Sequence, residues 1–128
     1  MSDTTSLVAD KAGGLSIFRS LDLDESEEEV KGTAGQVFSI HCMNMSASVR
    51  YLKFYNATAA SVTVGTTTPV LTYPIPTSGD TNGSGFILNM PIGFEFNTAI
   101  TVASTTGLAD NDTGAPGANE IILHLGYK

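Results

Sequence analysis

Apolar and polar residues alternate with a period of two along most of this chain. In GQVFSIHCMNMS, Phe38, Ile40 and Cys42 fall on one face, and in VRYLKFYNA, Leu52 and Phe54 oppose Tyr51, Lys53 and Tyr55. GFILNMPIGFEF repeats the pattern with Phe86, Leu88 and Met90, then Phe94 and Phe96 around Glu95. NTAITVAST places Ile100 and Val102 together, and EIILHLGYK sets Ile121, Leu123, Leu125 and Tyr127 on one side. Side chains on an extended strand point alternately to opposite faces, so each run predicts a half-buried strand. SVTVG, with Val62 and Val64, predicts another. TPVLTYPIP is also extended, but Pro69, Pro74 and Pro76 lack ladder donors, which assigns this run to an edge or a loop crossing.

Between the runs lie turn signals: Asn82-Gly83 in TSGDTNGSG, and Pro116-Gly117, which predicts a type II turn. No stretch keeps a 3.6-residue period with caps; ESEEEVKG suffices for one helical turn at most. About seven strands follow from Lys31 onward. An eighth is available in LSIFRSLDLD, where Leu15, Ile17, Leu21 and Leu23 occupy odd positions. Strands without intervening helices imply an all-β fold of antiparallel sheets, a β-sandwich or jelly roll. An immunoglobulin-like sandwich fits the strand count equally well.

Charge divides the chain. Of thirteen acids, Asp3, Asp10, Asp22, Asp24, Glu25, Glu27, Glu28 and Glu29 precede Lys31, and the remainder is nearly neutral. The shift predicts an extended acidic N-terminal arm over residues 1–30 and a sandwich domain over 31–128. With 128 residues the chain suits one domain. A net charge of −7 and six scattered basic residues argue against nucleic acid and against an anionic membrane. One cysteine excludes an intrachain disulfide, and MSDTTSLVADKAGG has no apolar signal region, so synthesis in a reducing cytoplasm is expected.

Candidate chemistry is sparse. His41 and Cys42 are neighbours, so on a strand they face opposite ways and cannot share an ion. DLDESEEEVKGT has Asp22 and Asp24 in calcium-loop positions, but Glu27 stands where the loop needs glycine and Thr33 where it needs glutamate. Asp110 and Asp112, with Glu120, form a second calcium candidate, weighed against a solvated turn. No nucleophile elbow, triad or phosphate loop is present. The expectation is a protein with no catalytic residues, no metal site and no cofactor.

The stretch FYNATAASVTVGTTTPVLTYPIP carries no charge and offers only shape. Such a surface suits packing between copies, with Tyr51, Lys53 and Tyr55, out of phase with the core pair, as a subunit contact. The runs VRYLKFYNATAASVTVGTTTPVLTYPIPTSG, IGFEFNTAITVASTTGLADNDTGAP and EIILHLGYK resemble small β-sandwich virion proteins of tailed bacteriophages. The resemblance covers about residues 35–128.

It implies a jelly-roll head decoration, or cement, protein that sits as a homotrimer on the outer surface of the expanded capsid. Its partner would be the major capsid protein, whose adjacent capsomers it would clamp. The arm would then reach the capsid through Leu15, Ile17, Phe18, Leu21 and Leu23. The acids Asp22, Asp24, Glu27, Glu28 and Glu29 would meet basic groups there. A tail, tail-fibre or head-fibre module and a carbohydrate-binding adhesive sandwich remain as alternatives.

Overall fold

The computed structural model describes residues 4–8 and 13–128. Among the described residues nine strands run in chain order: β1 (Thr4–Leu7), β2 (Ser16–Ser20), β3 (Glu28–Lys31), β4 (Gly35–Asn44), β5 (Arg50–Tyr55), β6 (Leu71–Ile75), β7 (Ser84–Phe96), β8 (Ile100–Thr105) and β9 (Ile121–Tyr127). Among the described residues one 3-10 turn is present, Ala59–Ser61. The strands form two sheets, ordered β1-β2-β9-β4-β7 and β3-β8-β5-β6, with every pairing antiparallel. The chain is an all-β sandwich.

Alternation explains the core. Leu52 and Phe54 of β5, Ile100 and Val102 of β8, and Ile121, Leu123, Leu125 and Tyr127 of β9 all turn inward and are buried. Their side chains interdigitate between the two sheets, as sandwich packing requires. Phe54 anchors an aromatic group, 5.9 Å from Phe96 and edge-on to Tyr73 at 6.4 Å. On β4 the phase differs from the expected one. A bulge between Val37 and Ser39 shifts the register, so Val37 rather than Phe38 joins Ile40 and Cys42 in the core. As Pro74 within it requires, β6 is an edge strand.

Three further expectations change. SVTVG is not a strand; after the 3-10 turn its residues form turns that lay Val62 and Val64 over Tyr55 and Ala103. Gly117 has no positive φ; the Glu120 amide donates to the Gly117 carbonyl and the left-handed residue is Asn119, at φ 58°. The turn therefore lies beyond Pro116-Gly117.

The third change concerns residues 1–30. From Ser16 onward this segment is built into both sheets, β2 pairing β9 and β3 pairing β8. Phe18 and Leu23 are fully buried in the shared core. The division at Lys31 is thus corrected: the charge shift marks an acidic flank of the sandwich, and β2 and β3 are part of the domain. Expectations for residues 1–3 and 9–12 lie outside the described residues.

Candidate binding face

The outer face of the five-stranded sheet is set by its register. One cross-strand row reads Thr5, Arg19, His124, His41 and Ile87 on β1, β2, β9, β4 and β7. The next reads Leu7, Ile17, Gly126, Ser39 and Asn89, and a third holds Ile122, Met43 and Gly85. These three rows carry no carboxylate. Leu7, Ile17 and Ile87 are 65%, 45% and 67% exposed, and Met43 and Leu15 are exposed beside them. Apolar side chains thus surround a short basic line, Arg19–His124–His41.

Two glycines hollow this face on either side of the histidine pair. A cavity of about 460 Å³ lies over Gly126, lined by Leu15, Ile17, Arg19, Ser39 and the two histidines. A Cβ on Gly126 would come within 3.0 Å of Leu15 Cδ1 and 3.3 Å of Ser39 Cβ. A second cavity of about 410 Å³ lies over Gly85, against Met43, Ile87 and the same histidines. His124 Nε2 is shielded from solvent and has no hydrogen-bond partner. Burial holds the His124 pKa below its ordinary value, and the positive charges of Arg19 and then His41 act the same way.

The opposite face of the molecule is closed. Lys53 and Tyr55 do point away from the core pair Leu52 and Phe54, as the alternation requires, but both are completely buried. Ala57, Val62 and Val64 cover Tyr55, and Lys53 Nζ donates to the Ala109 carbonyl at 2.6 Å. Burial lowers the Lys53 pKa, against the opposing pull of Asp112 and Asp110. The Tyr55 hydroxyl is buried without a partner, and burial raises its pKa. The expected subunit contact at Tyr51, Lys53 and Tyr55 is therefore corrected: only Tyr51 keeps a partly open side chain, because the chain's own loops occupy the surface over the other two.

The expected capsid-contact residues also separate. Ile17 is exposed on the binding face, with Leu15 beside it, and Leu21 is half-buried. Phe18 and Leu23 are core residues with nothing to offer a partner. The acids are largely engaged within the chain. Asp22 accepts from the Asn119 amide and Asp24 from the Ser26 amide. Glu28 accepts from Ser20 and Thr4, and Glu29 from the Ala59 amide. Glu27 is half-buried and acts on the Tyr55 phenol through its charge.

The second calcium candidate is dispersed. Asp112 Oδ1 accepts from the Gly107 and Gly114 amides, and Glu120 pairs with Arg50 at 3.1 Å. Among the described residues no group of three or more His, Cys, Asp and Glu could hold a metal ion. Cys42 is buried, and desolvation pushes its pKa up to about 12, which leaves the thiol a core hydrophobe at neutral pH. The cross-strand pairing of His41 with His124 went unread in the sequence. The signal available was two histidines on alternating strands, but their register depends on the β4 bulge.

Comparison with protein-family models, with curated proteins and with solved structures finds no match for this chain.

Proposed function

We propose that this chain is a non-enzymatic virion structural protein, a decoration protein that binds the outer surface of an expanded phage head. The observation that carries the reading is the strand order. Leaving aside β1, one sheet runs β2-β9-β4-β7 and faces β3-β8-β5-β6, eight strands in the two-sheet arrangement that supports a jelly roll, a fold common in capsids. The resemblance of residues 35–128 to small phage sandwiches points the same way. Fold analogy supplies the class of role, and the surface must supply the contact.

The exposed apolar side chains on the five-stranded sheet are the surface best suited to the partner, the major capsid protein. A protein that binds only the expanded lattice stabilises it by mass action, and a homotrimer touching several capsomers adds multivalency. Quantitative mass spectrometry of purified virions tests the reading directly. Hundreds of copies per particle, released together with head proteins, are expected. A few copies would move the chain to the tail or a fibre, and its absence from virions would end the virion reading.

A further inference from the structure

We propose that the hollow over Gly126 is a binding site for a carboxylate carried on a short apolar stem. Its volume of about 460 Å³ falls in the range of small-ligand sites. Arg19, His124 and His41 form one cross-strand row along it, and Ser39, whose hydroxyl donates to Asn89 Oδ1, lies in the next row with Gly126. Its apolar wall is Leu15, Ile17 and Leu125. The absence of a side chain at Gly126 makes the space, since even a methyl group there would crowd Leu15 and Ser39.

Charge selects the ligand. Among the described residues the one ion pair is Arg50 with Glu120, and no described carboxylate pairs with Arg19. A guanidinium presents a fork of donors that matches a carboxylate in two places. Beside it the His124 ring lines the hollow, and protonation of the ring adds positive charge next to Arg19. A cation is disfavoured at the same spot because Arg19 is the register neighbour of His124. The groups facing His124 across the sheet are Arg19 from β2 and His41 from β4, with no acid at either position. Binding therefore strengthens as pH falls through the His124 titration.

The stem accounts for the rest of the hollow. With the carboxylate at Arg19 and His124, two or three methylene groups lie over Gly126 against Leu15 and Ile17. A free short-chain acid and a glutamate side chain on another protein both have this chemistry.

The test is a nuclear magnetic resonance titration of the full chain, following the His124 ring and the Arg19 Nε–H. Three probes are used: butyrate, the neutral isostere butyramide, and the peptide acetyl-Leu-Glu-Leu-amide. Butyrate is expected to give saturable shifts and to raise the His124 pKa by about one unit, roughly a tenfold gain in proton affinity. Arg19→Gln, a change at an outward-facing position, is expected to weaken binding about tenfold or more, and Arg19→Lys to recover part of it. A peptide that binds more tightly than butyrate assigns the site to a protein side chain, and the reverse order assigns it to a free acid. Butyramide shifts equal to those of butyrate overturn the proposal. So does failure to saturate by about 100 mM, or an Arg19→Gln protein that binds butyrate unchanged.

Discussion

The Ser20 hydroxyl on β2 donates to the Glu28 carboxylate on β3 across 2.9 Å, joining the two sheets where the chain first crosses between them. The other Glu28 oxygen accepts from the Thr4 hydroxyl on β1. One acid thus ties together three strands, and Ser20 itself is buried. Glu28→Ala leaves the Ser20 hydroxyl without this acceptor. The expected loss is about 2–3 kcal/mol by urea unfolding at pH 7, with Glu28→Gln losing less because it keeps an acceptor oxygen. A Glu28→Ala protein as stable as the parent would show that the link contributes nothing.

Truncation separates the N-terminal segment into two parts. Removing residues 1–14 takes away β1 and leaves β2, β3 and the core residues Phe18 and Leu23 in place. That protein is expected to unfold cooperatively at a reduced temperature. Removing residues 1–30 deletes β2, most of β3 and the buried apolar side chains Phe18, Leu23 and Val30. Truncating a buried Phe or Leu typically costs about 2–5 kcal/mol each, against a total stability of about 5–15 kcal/mol. No cooperative melt is expected from the shorter chain. Circular dichroism melts of the two proteins decide the point, and any capsid-binding assay of the N-terminal segment belongs with the 1–14 deletion.

The same segment shows what alternation can and cannot convey. It gave the strands from Gly35 onward, because each has one face in a single core and the other away from it. It also placed β6 at an edge, since proline leaves a gap in a ladder wherever it sits. It misread residues 15–23 as one apolar face. There the chain leaves the first sheet after Ser20 and crosses toward the second, so Ile17 points outward while Phe18 and Leu23 point in. A period of two does not survive a crossing. The pattern also put Lys53 and Tyr55 on the correct side of β5 without revealing that loops cover it. Which face is outward is a local property; what lies over that face depends on how residues 57–64 fold back over Tyr55 and on residues 109–112, far along the chain.

Cys42 makes a second quantity measurable. Its thiol sits at 1% exposure, with its pKa pushed up to about 12 from an ordinary 9.0. The unfolded chain ionises first, so this contribution to stability is intact below about pH 9 and is lost as pH rises toward 12. Three units correspond to roughly 4 kcal/mol at the alkaline end. Cys42→Ala is expected to cost about 1 kcal/mol at pH 7 and to flatten the decline in stability above pH 9. Comparing the two proteins at each pH removes the parallel effect of the buried tyrosines. In the parent, a disulfide reagent at pH 8 is expected to react only as fast as the chain opens, and rapid labelling without unfolding would contradict the burial.

Lys53 supports the loop that closes the other sheet. Its ammonium reaches the Ala109 carbonyl, while Asp112 gathers the Gly107 and Gly114 amides at 3.1 and 2.8 Å. Asp112→Ala removes both acceptor contacts at once, and the amides of Gly107 and Gly114 are expected to exchange with solvent about tenfold faster or more. Lys53→Met keeps the length of the side chain but removes the charge and the contact to Ala109. Because burial lowers the Lys53 pKa below its ordinary 10.5, the folded chain holds this proton less tightly than the unfolded chain. The parent should therefore gain stability relative to Lys53→Met as pH climbs toward 10.5, and lose that gain as pH falls through the folded pKa. Urea unfolding of both proteins at several pH values up to 10.5 measures the difference. A constant gap across the series would mean that the buried amine is as easily protonated as an exposed one, and that the loop does not seal it from water.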